Sequence, residues 1–319
     1  MKTATTDYDS AWKAALEYYL PQSLALFFPR IYADIDWTKG FEFLNKELQK
    51  VVREAKVGKR FVDNLVKVWS KDGAESLVFI HIEVQSQVDH SFAKRMYNYH
   101  NALSFRYDNP VVSLAILGDE DENWRPKEYY YDYWDCGYRF WFPMVKLIDF
   151  HQRWDELENS NNPFSLVVMA YLKAQETKGD MESRFYWKFL LVRWLYERGF
   201  RKEDVLNVFR FIDWMIVMTE DMEQKLKEKI EELEEENQMT YITNVERIAR
   251  KEGKEEGKEE GTLLATQESL ITVLRTRFGQ PSHIIAHRLQ DIQNVDYLKI
   301  LLEKAIVADT LNEFEQNLN

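Results

Sequence analysis

Two carboxylates and an amide stand at spacings that suit cation binding. The run "LVFIHIEVQSQ" (residues 77–87) sets Glu83 and Gln85 two residues apart in a segment rich in β-branched and aromatic side chains. Alternate side chains of a strand share a face. Val78, Ile80, Ile82 and Val84 therefore form an apolar face, and Leu77, Phe79, His81, Glu83 and Gln85 form the other. Upstream, "RFVDNLVKVW" (60–69) puts Phe61, Asp63, Leu65 and Lys67 on one face, with Asp63 its one carboxylate. Between the two runs lies Asp72-Gly73, a hairpin turn signal. Asp63 and Glu83 are almost equally far from that turn, so strands paired through it bring the two carboxylates together on one face. Such a pair repels itself unless a counter-charge is present. Mg²⁺ supplies one: it takes oxygen ligands and keeps several waters, so two carboxylates are a sufficient protein contribution. Mn²⁺ and Ca²⁺ are the substitutes expected for it. A metal held this way polarises a phosphate and activates a water. Gln85 can orient that water by hydrogen bonding, without the positive charge a lysine would bring.

These residues need a sheet and helices to position them. "DYDSAWKAALEYYLPQSLALFF" reads as helix, and "GFEFLNKELQKVVREAKVG" (40–58) as a second, with Phe43, Leu44, Leu48, Val51 and Val52 at three- and four-residue spacing. The strands at 60–69 and 77–85 follow. Residues 91–107 read as helix, 110–117 as a buried strand, and "YRFWFPMVKLIDF" (138–150) as a further strand or two broken near Pro143. From Pro163 the pattern is helical, with Pro163 suited to a first turn and Gly199 to a helix end. The fold class expected is α/β, a mixed sheet flanked by helices and followed by an all-helical C-terminal half. The divisions expected are 1–150 for the sheet domain, 151–218 for a helical extension, 219–261 for a charged helix and linker, and 262–319 for a small helical unit.

The third division carries two unusual patterns. Residues 220–236 hold nine Asp/Glu against three Lys, and Leu226, Ile230 and Leu233 make a narrow apolar stripe through them. A stripe that thin suits the seam of paired helices, which predicts a homodimer or a higher even oligomer. "RKEGKEEGKEEG" (250–261) repeats glycine every fourth residue and reads either as a linker or as a helix that a partner approaches closely.

Composition narrows the class. Hydrophobic residues are 45% and aromatics 14% of 319 residues, enough to build a core. The net charge of −12 is not that of an obvious nucleic-acid binder. Residues 50–72 run the other way, with seven Lys/Arg against three Asp/Glu. Lys59, Arg60 and Lys67 in that run form a rim able to hold a phosphate chain. On the following helix Arg95 and Tyr99 lie one turn apart, and a phosphate-facing role stands beside core packing as their reading. A single cysteine excludes an internal disulfide and a cysteine-rich metal site. Without a long apolar run or an n-region and h-region at the start, the expectation is a cytoplasmic protein with no membrane span.

The stretches "DSAWKAAL", "FVDNLVKVW", "IHIEVQSQVDHSFAKRMYNYHNAL" and "WFPMVKLIDF" together resemble the Rpn family of recombination-promoting nucleases, a branch of the PD-(D/E)XK nuclease superfamily often labelled as transposases. The resemblance runs over residues 7–250. It implies a PD-(D/E)XK nuclease-like core, a Mg²⁺-dependent DNA endonuclease with little sequence preference, and an association with recombination or mobile elements. It implies Asp63 and Glu83 as metal ligands and Gln85 in the place of the superfamily's lysine. Glu47 is the candidate acid from the first helix, with Glu54 and Glu17 as rivals. The alternative is a nuclease-fold module without strong catalysis, used for binding or oligomerisation, and the glutamine at position 85 favours it.

Overall fold

The computed structural model describes residues 8–54, 63–71, 77–237, 241–242, 263–279, 288–289, 292, 294–308 and 310–315, with Asp63 described through its backbone alone. The chain divides into two compact units, Met1–Ile242 and Thr243–Asn319. The repeat at 250–261 lies outside the described residues.

The first unit is built on a five-stranded sheet. Its strands are β1 (Glu42–Phe43), β2 (Asp63–Trp69), β3 (Leu77–Gln85), β4 (Val111–Leu117) and, after a separate hairpin of β5 (Glu128–Tyr133) and β6 (Cys136–Trp141), β7 (Met144–Lys146). The order across the sheet is β1-β2-β3-β4-β7. β1, β2 and β3 pair antiparallel, and β4 and β7 add in parallel. The parallel step from β3 to β4 requires a crossover, and helix α5 provides it. The earlier helices are α1 (Tyr8–Tyr18), α2 (Leu20–Phe27), α3 (Pro29–Asp34) and α4 (Asn45–Glu54), and α5 spans Phe92–Tyr107.

The strand alternation sorts the core into two layers. Val66, Val68, Ile80, Ile82, Val84, Leu114 and Ile116 pack with Trp12, Leu16 and the helical half. On the opposite face Leu65 and Phe79 pack with Leu48 and Leu103, and Ala115 and Leu117 pack with Phe92, Met96 and Phe142. That second face lies under α5, so β3 is buried on both sides.

Five helices follow: α6 (Trp154–Glu158), α7 (Pro163–Glu176), α8 (Met181–Glu197), α9 (Lys202–Met215) and α10 (Glu220–Glu236). Asn162 caps α7 by accepting from Phe164 N at 2.9 Å, with Pro163 in the first turn as the sequence predicts. Residues Phe164 through Ala174 are all buried. A helix apolar on every side sits in the middle of a core, and Trp12 packs edge-on against its Phe164 and Tyr171.

Four expectations change. Sheet and helical half share one core from Ala11 to Ile242, so the divisions at 150 and 218 do not separate cores. The helix expected over 40–58 starts at Asn45, because Glu42 and Phe43 pair with Lys67 and Val66 on the sheet edge. The β5 strand was not anticipated. Lastly, Leu226, Ile230 and Leu233 of α10 are buried within the same chain. The Lys188 ammonium on α8 reaches Glu223 of α10 at 2.8 Å and Asp213 of α9 at 2.7 Å, pinning the helices together. The stripe already has a partner, which removes one of the observations behind the expected homodimer or higher even oligomer. Among the described residues no helix is long and apolar enough to cross a membrane.

The second unit has its own small core of Leu270, Leu274, Leu289, Leu298, Leu301 and Phe314. Its described helices include 263–278, Val295–Val307 and Leu311–Glu315.

Candidate functional site

The antiparallel register of β2 and β3 pairs Asp63 with Glu83, Leu65 with His81 and Lys67 with Phe79. Directly opposed residues occupy the same face of a sheet. Asp63 and Glu83 therefore share the face under α5, at the end where β3, β4 and β7 finish. Gln85 opposes Leu117, which opposes Lys146, so the last row of this face runs Gln85, Leu117, Lys146.

Glu83 and Gln85 are buried, at 4% and 8% exposure. What meets them is Arg95 of α5. Its Nε and Nη2 donate to Glu83 Oε1 at 3.0 and 2.8 Å, and Nη2 also donates to Gln85 Oε1 at 2.6 Å. Nη1 donates to Asp89 Oδ2. Asp89 is fixed in turn: its Oδ1 accepts from Ser91 N at 2.9 Å and Ser91 Oγ at 2.7 Å at the start of α5. Partial burial pushes the Asp89 carboxyl upward, but the two Ser91 donors and the guanidinium outweigh it and hold the group down at about 2. For Arg95, burial opposes the charge and the Glu83 carboxylate restores it, with Asp89 helping, so the net shift is upward. The Gln85 amide is oriented by donating Nε2 to Gln87 O at 2.6 Å. His81, next on this face, sets Nε2 3.6 Å from Glu83 Oε2 and meets Tyr99 edge-on at 5.3 Å.

The side chains around Glu83 thus hold two carboxylates, Glu83 and Asp89, against one guanidinium, and the register sets the backbone of Asp63 opposite Glu83. Oxygen donors with surplus negative charge fit a hard divalent cation. Among the described residues no group of three His, Cys, Asp or Glu comes close enough together to hold a metal. Glu47 sits half-buried in the first turn of α4. Of its rivals, Glu54 has its side chain outside the described residues. Glu17 accepts from Asn45 Nδ2 at 2.6 Å, and the same amide donates to Asn64 Oδ1 at 2.9 Å. Asn64 opposes Ile82, on the face away from Glu83, so this chain ends behind the sheet.

The residues expected to hold a phosphate chain scatter. Lys59 and Arg60 lie outside the described residues. Lys67 is part-exposed, 3.4 Å from Glu42 at the far end of β2. Arg95 and Tyr99 share a face as expected, but that face packs on the sheet, and both side chains are buried. Arg95 directs its donors to Glu83, Gln85 and Asp89.

Sequence reasoning missed three charged residues of this region. Asp89 is legible in the sequence as the first residue of "DHS", an Asx turn leading into α5. The other two form a buried ion pair: Lys146 Nζ donates to Asp119 Oδ1 at 2.8 Å and to Trp124 O at 2.8 Å. A lysine inside the apolar run "FPMVKLIDF" is the signal that could have found it. Beside this pair, Tyr171 of α7 donates its hydroxyl to Gly118 O, and Gly118 N donates to Gln85 O at 2.8 Å.

No protein-family model matches the chain, and neither does a curated protein or a solved structure.

Proposed function

We propose that the chain is a Mg²⁺-dependent endonuclease that hydrolyses DNA phosphodiesters with little sequence preference, built on a PD-(D/E)XK-like core of the Rpn type and serving recombination or mobile elements. The observation that carries this reading is the cross-strand pairing of Asp63 with Glu83 on one face of the sheet. Asp63 and Glu83 would hold the ion, with Mn²⁺ or Ca²⁺ as substitutes, and the ion would supply a polarised phosphate and an acidified water. The rest falls to the chain's own groups. Gln85 presents an amide whose orientation is fixed by Arg95 and Gln87, and so can place a water by hydrogen bond. Arg95 places a permanent cation 2.8 Å from Glu83 in a buried site and so fixes the position of that carboxylate. Glu47 remains the candidate acid from α4, and Lys59, Arg60 and Lys67 the candidate phosphate contacts.

The test is relaxation of supercoiled plasmid with and without Mg²⁺, run beside Asp63→Ala and Glu83→Gln. Nicking that needs Mg²⁺ and is lost in both variants supports the reading, and nicking retained in either variant removes it. One observation favours a second reading, a nuclease-fold binding module without catalysis: the Glu83 oxygen Oε1 is already occupied by two Arg95 donors. Calorimetry separates the two, since the module binds no divalent ion and the enzyme binds one that Glu83→Gln abolishes.

A further inference from the structure

The β5–β6 hairpin is a second surface with its own chemistry. Its register pairs Tyr129 with Phe140 and Tyr131 with Tyr138, so Tyr129, Tyr131, Tyr133, Tyr138 and Phe140 line one face. The base of that face is covered by α5: Tyr97 stacks on Tyr138 at 4.5 Å, and His100 meets Phe140 at 4.7 Å. Beyond that support the rings continue outward. Tyr138 stacks on Tyr131 at 5.5 Å, and at the tip Tyr133 stacks on Trp134 at 4.9 Å. Trp134 is 85% exposed, and on the reverse face Tyr130 and Trp141 are 71% and 73% exposed. An isolated two-stranded hairpin is marginal in water and carries such apolar area at a cost.

The turn itself is built around the indole. Trp134 and Asp135 have φ values of 50° and 60°, the left-handed conformation of a two-residue turn in which Asn-Gly is favoured. A tryptophan there is strained by roughly 1 kcal/mol and solvent-exposed as well, so the fold alone does not select it. The charges select among occupants. Arg139 is neutralised by Glu128 at 2.8 Å. Asp135 follows Trp134 in the turn, Asp132 lies on the reverse face with the exposed rings of Tyr130 and Trp141, and among the described residues neither carboxylate is in an ion pair. Exposed π faces beside two unneutralised carboxylates repel a phosphate chain and attract guanidinium or ammonium groups, through cation–π contact and ion pairing together.

We propose that the tip of this hairpin, centred on Trp134 with Tyr133, Asp132 and Asp135, is a docking site for an arginine- or lysine-bearing segment of another protein. The proposal does not depend on the nuclease reading, since it uses no residue of the Glu83 cluster. The probe is a fluorescein-labelled peptide of alternating arginine and glycine, titrated by anisotropy into the full-length protein, with a labelled single-stranded oligonucleotide as competitor class. Two variants test it: Trp134→Asn, which removes the indole and suits the turn better, and Asp132→Asn/Asp135→Asn, which removes the charge on the surface. Each is expected to weaken peptide binding by about tenfold. Charge removal on α10, by Glu231→Gln/Glu235→Gln, is expected to leave it unchanged. Equal peptide affinity in the parent and both hairpin variants overturns the proposal. So does an oligonucleotide that binds the parent and is lost in Trp134→Asn, which would make the hairpin a base-stacking surface instead.

Discussion

Replacing Arg95 by methionine tests the centre of the candidate site. Methionine keeps the apolar stem of the side chain and removes the guanidinium. Four hydrogen bonds go: two to Glu83, one to Gln85 and one to Asp89. Bonds to charged partners contribute about 1.5–3 kcal/mol each, but burying the guanidinium has its own opposing penalty. The better guide is the cost of removing one partner from a buried pair, about 3–5 kcal/mol. Arg95→Met is therefore expected to destabilise the sheet by about 4 kcal/mol. Glu83→Gln leaves Arg95 with Asp89 and an amide, and is expected to destabilise it by about half as much. The double variant strands no charge at Glu83, so its loss should fall short of the sum by about 2 kcal/mol.

Because the chain has two compact units, a single global denaturation curve would mix their transitions. Amide hydrogen exchange followed on peptides covering residues 77–85 reads the opening free energy of the sheet directly. Exchange there that is unchanged in Arg95→Met, or losses that simply add in the double variant, would refute the claim that the guanidinium neutralises Glu83. The same measurement carries a metal arm. Without the guanidinium the Glu83 site is more negative, so Mn²⁺ should protect residues 77–85 more in Arg95→Met than in the parent. Equal protection in the two would separate Glu83 from cation binding.

Three further outcomes follow from the same geometry. Gln85→Lys sets an ammonium against the Arg95 guanidinium and loses the acceptor at 2.6 Å, so slower exchange over residues 77–85 in that variant would contradict the arrangement. Gly118→Ala brings a methyl to 2.6 Å from the Tyr171 hydroxyl oxygen, and should lower stability by about 1–3 kcal/mol while adding Tyr171→Phe partly restores it, as read by hydrogen exchange on peptides covering residues 111–118. The Asp89 carboxyl is held below its ordinary 3.8, at about 2, so the stability it contributes is complete above 3.8 and is lost as the pH falls through 2; an acid-unfolding profile of Asp89→Asn that keeps the parent's loss in that window would show that Asp89 contributes none of it.

The parts of the site legible in the sequence were those set by short-range rules. Period-two alternation marked β3 from Leu77 to Gln85, the bounds it has in the structure. Equal spacing about Asp72-Gly73 placed Asp63 opposite Glu83, the register observed. The β5 strand escaped because five aromatic and acidic residues in a row, "YYYDY", show no apolar–polar alternation: both faces of the hairpin are aromatic.

What escaped at the site itself was long-range. The spacing of Phe92, Arg95, Met96, Tyr99 and Leu103 is that of a buried helix stripe, and all five are buried. Read so, Arg95 belonged to the interior from the start, and an interior arginine needs carboxylates. Among the described residues Glu83 and Asp89 are the carboxylates that answer it. The α10 stripe shows the converse limit, since Leu226, Ile230 and Leu233 look the same whether the surface covering them is a second copy or α8 of the same chain. The deciding contact is Lys188 on α8 reaching Glu223 on α10, a pairing between elements whose sequence patterns are independent of each other. Both cases turn on a basic residue on an otherwise apolar helix face, Arg95 in one and Lys188 in the other, each buried and each answered by two carboxylates. Lys146 with Asp119 is a third buried basic residue, answered by one carboxylate and a backbone carbonyl. A lysine or arginine at a core-facing position is thus the strongest single pointer in this sequence to where acidic residues distant along the chain must converge.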